Sequence, residues 1–79
     1  MKTEDGVTDS FREALDLEPW EDVATLTYRG HPKWTSLGHM TLVASLEERF
    51  DVMLESEDIL DMSSFDKAVE IMGKYNDSR

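Results

Sequence analysis

The sequence predicts an all-α fold: a four-helix bundle with three principal helices and a short third helix. Three observations predict it. Apolar residues recur at helical spacing in three separate segments, and Ser or Thr stands near the expected start of several of them. No run alternates apolar and polar residues as a half-buried sheet would require.

In the first segment Val7, Phe11, Ala14 and Leu15 share one helical face, and Ser10 with Glu13 has the spacing of a capping box. Pro19 holds Glu18 extended, so this helix should stop near Asp16 or Leu17. From Pro19 to Trp34 no period appears, and Gly30 and Pro32 punctuate the stretch. A connection of that length needs anchors in a compact domain, which Val23, Leu26 and Trp20 supply as candidates, with a short helical turn near Glu21 to Ala24.

Thr35 is the expected N-cap of the central helix, with Ser36 in its first turn and an end near Arg49 or Phe50. At 100° per residue, Leu42, Val43, Leu46 and Phe50 form the face to be buried, with His39 on the same side. Leu37, Met40 and Ala44 occupy another shoulder. Ser36 lies at its edge, and Glu47, Glu48 and Asp51 rim its far end. This second apolar shoulder is either a docking surface or packing for the long connection.

Ser56 has the position to cap a short helix from Glu57 to about Asp61 with Ile59 and Leu60 inward. Ser63 with Asp66 has capping-box spacing for the last helix, whose expected buried stripe is Phe65, Ala68, Val69 and Met72. Glu70 and Lys74 form an i,i+4 pair, and Gly73 marks the expected fraying end.

Seventy-nine residues suffice for one domain, residues 1–79 with polar, frayed termini, and for one modest core. Eighteen acidic against eight basic residues give a formal charge of -10, which repels nucleic-acid phosphates and anionic lipid and favours a basic protein partner. The segment from Ser36 to Asp61 holds seven acids against Arg49 alone, a local charge of -6. No cysteine is present for a disulfide or a thiolate metal site. With no signal-like or membrane-length apolar run, a cytoplasmic location, no membrane partner and a monomeric state are the expectations.

His31 and His39 lack the acidic spacing of a zinc-protease helix, and the acids around Asp51, Glu55 and Glu57 lack the glycine and spacing of a calcium loop, so no metal site is expected. Ser36 and His39, three apart on a helix, come within reach of each other but show no orienting acid, oxyanion donors or substrate pocket. The chain therefore reads as non-catalytic.

The run "WTSLGHMTLVASLEERF" resembles the central motif of acyl carrier proteins, in which Asp-Ser-Leu opens the second long helix. The following "DVMLESEDILDMSSFDKAVEIM" resembles their short third helix and their last helix, and Val7 to Pro19 is compatible with their first. The Ser-Leu-Gly-His-Met version is similar to a branch of stand-alone carriers. The resemblance implies an acyl-carrier-like bundle and a 4'-phosphopantetheine arm transferred from coenzyme A to Ser36. It also implies partner contacts at Leu37, Met40, Glu47 and Glu48, to which the docking reading of the shoulder and its rim adds Ala44 and Asp51, and an acyl-chain cavity near Leu46 and Ile59. The implied partners are a phosphopantetheinyl transferase, an acyl- or aminoacyl-loading ligase, and a downstream transferase or synthase with a basic docking surface. Thr35 stands where the family usually has aspartate, and Gly38 and Thr41 stand where many relatives have acids. An unmodified acidic interaction module with a carrier-like fold is the main alternative, and a helical enzyme using Ser36 and His39 a remoter one.

Overall fold

The computed structural model describes residues 2–77; part of the expectation about frayed ends falls on Met1, Ser78 and Arg79, outside that range. The elements are α1 (Thr3–Ala14), a 3-10 turn (Val23–Thr25), α2 (Ser36–Phe50), α3 (Ser56–Asp61) and α4 (Phe65–Asp77). Three helices are long and the third is short, as the periodicity predicts.

Each principal helix turns one apolar stripe inward. Val7, Phe11 and Leu15 from the first segment meet Leu42, Val43, Leu46 and Phe50 of α2 and Phe65, Ala68, Ile71 and Met72 of α4. Phe11 is the aromatic hub, edge-on to Trp34 at 4.9 Å and to Phe65 at 5.4 Å between ring centroids. Val69, expected in the α4 stripe, is only partly buried, and Ile71 takes a core position instead.

Helix starts and ends correct several sequence expectations. Because α1 begins at Thr3, Ser10 is an interior residue. It is fully buried, and its Oγ accepts a hydrogen bond from Arg49 Nε at 3.0 Å, while Arg49 Nη2 donates to Glu13 at 2.9 Å. These bonds hold α2 to α1. The α1 helix ends at Ala14, and Asp16 with φ of 50° turns the chain before Pro19 is reached. Ser64, rather than Ser63, receives the Lys67 amide on its Oγ at 3.0 Å and so caps α4. Ser56 begins α3 instead of capping it; Glu55 holds the N-cap position with no side-chain cap bond. Gly73 lies within α4, which continues to Asp77. Glu70 pairs with Lys67, whereas Lys74 reaches across to Asp58.

The long connection is ordered by its own hydrogen bonds. Val23 and Leu26 enter the core, but Trp20 is 79% exposed and anchors nothing there. Trp34, at the end of the stretch without a period, is fully buried. Leu26 and Tyr28 pair with the junction before α4: the Phe65 amide donates to the Leu26 carbonyl at 3.0 Å and the Tyr28 amide to the Ser63 carbonyl at 2.8 Å. Thr27 and Ser64 form an isolated antiparallel bridge between them. Farther along, the Lys33 amide donates to His31 Nδ1, which leaves the proton on Nε2 to face Glu21 at 2.6 Å. That bond, foremost among its causes, lowers the Glu21 carboxyl below its ordinary pKa.

Candidate functional site

Thr35 caps α2 as predicted: its backbone is extended and its Oγ1 accepts the Gly38 amide at 3.2 Å. Ser36 is therefore the first residue of the helix, and it is exposed. Its hydroxyl lies 3.0 Å from the Tyr28 hydroxyl. The first turn of α2 carries no acid, so the amides at this end face no fixed negative charge from their own helix.

Leu37, Met40, Ala44 and Glu48 follow one another along a single face of α2, since each step is three or four residues. Leu37 is 79% and Met40 59% exposed, and Ala44 and Glu48 are exposed too. The long connection does not cover Leu37 and Met40, so they do not serve as its packing. From Ser36 to Glu48 this face runs about 18 Å at 1.5 Å per residue.

The rim acids are not equivalent. Glu48 is exposed, whereas Glu47 is half-buried and its Oε2 accepts the Leu54 amide at 2.9 Å. Glu47 thus secures the segment leaving α2. Asp51 is exposed at the C-cap in the left-handed region, φ 55°.

Gly38 has a steric reason to lack a side chain. A Cβ there would meet the Lys33 carbonyl oxygen at a separation of 2.2 Å and Leu15 Cδ2 at 3.1 Å. Any side chain at this position, an acid included, would force the Lys33 backbone to shift, because the connection crosses the first turn of α2 at close range.

His39 has a structural part. Trp34 Nε1–H donates to His39 Nδ1 at 2.9 Å, so the imidazole carries its proton on Nε2, 2.8 Å from the Ile59 carbonyl oxygen. The indole and imidazole rings stack, with centroids 6.0 Å apart. One side chain thereby joins the end of the connection to α3, and both ring nitrogens are used.

Leu46 is fully buried and Ile59 packs partly buried against the core. Leu60, expected inward with Ile59, is 83% exposed. The backbone of α3 is tied on a second side by Tyr75, whose hydroxyl accepts the Glu55 amide at 2.9 Å and donates to Asp58 Oδ2 at 2.6 Å. Lys74 adds a 3.0 Å bond to the other Asp58 oxygen. The Asp58 carboxyl is lowered from its ordinary pKa, first by the Tyr75 hydrogen bond and then by Lys74. Burial, followed by the Asp58 bond, raises the Tyr75 phenol.

Sequence reasoning missed Tyr28 and Tyr75, because hydroxyl partners eight and seventeen residues away leave no periodic signal. It also missed Trp34 as a core residue; a large aromatic next to a cap was the available signal.

Among the described residues, no helix is long and apolar enough to cross a membrane. Comparison with known proteins finds no matching family model, curated protein or solved structure.

Proposed function

We propose that this protein is an acyl carrier, with Ser36 as the attachment point for 4'-phosphopantetheine. The observation that carries the reading is one juxtaposition: an exposed hydroxyl on the first residue of α2, directly followed on the same helix by the exposed side chains of Leu37 and Met40. A large apolar side chain left in water beside an exposed hydroxyl suits a partner that must bind close to that hydroxyl.

The residues present fit the group. Ser36 is exposed to an approaching enzyme, and a phosphodiester on its Oγ would lie at a helix N-terminus whose amides favour an anion. When bound, the arm supplies a thiol on which an acyl or aminoacyl group is held as a thioester. The protein's own part is presentation. Thr35 fixes the start of α2, Leu37 and Met40 offer apolar contacts, and Glu48 with Asp51 attracts a basic docking surface. Ala44 lies between these apolar and acidic contacts. A transferase, a loading ligase and a downstream transferase or synthase provide the catalysis, in a cytoplasmic setting.

Intact-mass analysis of protein from its native cell tests this reading. One phosphopantetheine mass that Ser36→Ala abolishes is the expected result; lasting absence of the arm in functional protein overturns it. The unmodified interaction module then takes its place. Thr35 favours that second reading, since it caps the helix without the charge of the family's aspartate.

A further inference from the structure

We propose that Tyr28 is a positioning residue for Ser36, presetting the serine hydroxyl for attachment of its group; this rests on the carrier reading given above. The two hydroxyl oxygens are 3.0 Å apart although their residues are eight positions apart and lie on different elements.

Tyr28 is held from three directions. Its amide is bonded to the Ser63 carbonyl, and the preceding residue forms the bridge to Ser64, so its backbone is fixed to the α3–α4 junction. Its ring stands edge-on to His39 at 5.2 Å and to Trp34 at 6.1 Å. Trp34 is fully buried, and His39 is bonded through both ring nitrogens. The phenol is consequently aimed at Ser36 by the core itself.

Ser36, by contrast, has little else to hold it. The cap bond at this helix end belongs to Thr35, which takes the Gly38 amide. An exposed serine samples three staggered wells about χ1, and a hydrogen bond to a fixed partner selects among them. A phenolic O–H is a better donor than an aliphatic hydroxyl. Tyr28 Oη–H therefore donates to Ser36 Oγ, and the serine proton is left to point outward toward an external base.

The transfer step uses that arrangement. A bond forms between Ser36 Oγ and the phosphorus of coenzyme A that bears the pantetheine, and the P–O bond of the pyrophosphate breaks. The serine proton passes to a base of the transferase, and adenosine 3',5'-bisphosphate leaves with the bond's electron pair. As Oγ loses its proton it becomes a stronger acceptor, so the bond from Tyr28 tightens toward the transition state. Fixing one of three rotamers contributes about threefold to the rate, and a hydrogen bond of ordinary net strength extends this to about tenfold.

Tyr28→Phe keeps the ring and removes only the hydroxyl. Two measurements on the full chain test the proposal: the Hα–Hβ coupling constants of Ser36, and the steady-state kinetics of modification with coenzyme A, magnesium and a broad-range transferase. In the wild-type protein the couplings should report one χ1 rotamer, and in Tyr28→Phe an average. The variant's kcat should fall about threefold to tenfold with KM unchanged, because Leu37 and Met40 are untouched. Averaged couplings in the wild type, or a wild-type kcat in the variant, overturn the proposal. If no broad-range transferase modifies the wild type, the couplings alone decide whether Tyr28 sets Ser36, and the intact mass of the native protein separately decides the carrier reading.

Discussion

Trp34 and His39 are joined by a 2.9 Å hydrogen bond in which the buried indole N–H is the donor and imidazole Nδ1 the acceptor. The remaining ring nitrogen reaches the Ile59 carbonyl, so the short α3 is positioned by a residue of α2 that is itself positioned by the connection. His39→Leu keeps apolar volume but orphans a buried donor. Leaving such a group unpaired costs about 1–3 kcal/mol, which urea denaturation should detect. In a cycle with Trp34→Phe, the loss from His39→Leu should shrink when both substitutions are present, since no indole N–H remains to be orphaned.

Gly38 tests how tightly the connection lies on α2. Alanine is the better helix former by about 1 kcal/mol, which on propensity alone predicts stabilisation. The Lys33 carbonyl oxygen at 2.2 Å from the added Cβ predicts the reverse, because that atom is backbone and must shift, and Leu15 stands behind at 3.1 Å. Overpacking typically costs about 1–3 kcal/mol, so Gly38→Ala should lower the thermal midpoint. A raised midpoint would show that the crossing is loose.

The parts of this fold that repeat were legible, and those fixed by single distant contacts were not. Leu42, Val43, Leu46 and Phe50 announce the inner face of α2 because helical periodicity and burial are the same pattern seen twice. The cap at Thr35 was likewise readable, as was Ser36 in the first turn. Trp20 and Trp34 flank the same irregular connection, yet one is exposed and one fully buried, and only the tertiary path of the chain distinguishes them. Leu60 was misplaced for a related reason: six residues make too few turns for two adjacent apolar side chains to define a face. In the site, Leu37 and Met40 were visible as a second shoulder, but whether the connection covered them depended on the route it takes. Sequence spacing places Glu47 with Glu48 on the acidic rim, and only the bond to the Leu54 amide sets Glu47 apart.

Tyr75 and Asp58 form a latch on α3 that should respond to acid. The Asp58 carboxyl is depressed in the folded state, so its contribution to stability is fully present above the unfolded carboxylate range and is lost as pH falls through the lower folded value. Tyr75→Phe removes the main cause of that depression together with the acceptor for the Glu55 amide. Asp58 should then titrate closer to its ordinary value, and amides of α3 should exchange about fivefold to tenfold faster at neutral pH, as expected for a net loss near 1 kcal/mol. Carbon-detected titration of Asp58 and hydrogen exchange across Ser56–Asp61 measure the two effects.

The proposed docking face separates encounter from close contact. Glu48→Lys should reduce the association rate with a basic partner several-fold at low salt and less at high salt, because an exposed charge acts through a screened field. Met40→Ala should speed dissociation at every salt concentration if its 59% exposed side chain fills a socket. Glu47 is a poor substitute for Glu48 in this test, since its carboxylate also holds the Leu54 amide. Unchanged rates for both variants with an authenticated partner would remove this face from the binding site.

Thr35→Asp asks whether the cap or its charge controls access to Ser36. Both residue types accept the Gly38 amide, and aspartate is at least as good an N-cap as threonine, so the fold should be retained. The added carboxylate meets the positive end of a helix whose first turn has no acid, an interaction worth about 0.3–1 kcal/mol at low ionic strength. A small rise in thermal midpoint, diminishing with salt, is the expected physical outcome. Functionally, the charge restores the feature by which the family's central motif differs from this chain. Modification of Ser36 by broad-range transferases should therefore be faster in Thr35→Asp than in the wild type, whereas Ser36→Ala in the same background should gain no mass. If both proteins are modified at one rate, the transferase reads the hydroxyl and the apolar residues behind it, and the threonine is a neutral replacement. If only the aspartate variant is modified, the wild-type chain either requires a dedicated transferase or works without the arm, and the intact mass of the native protein distinguishes these two cases.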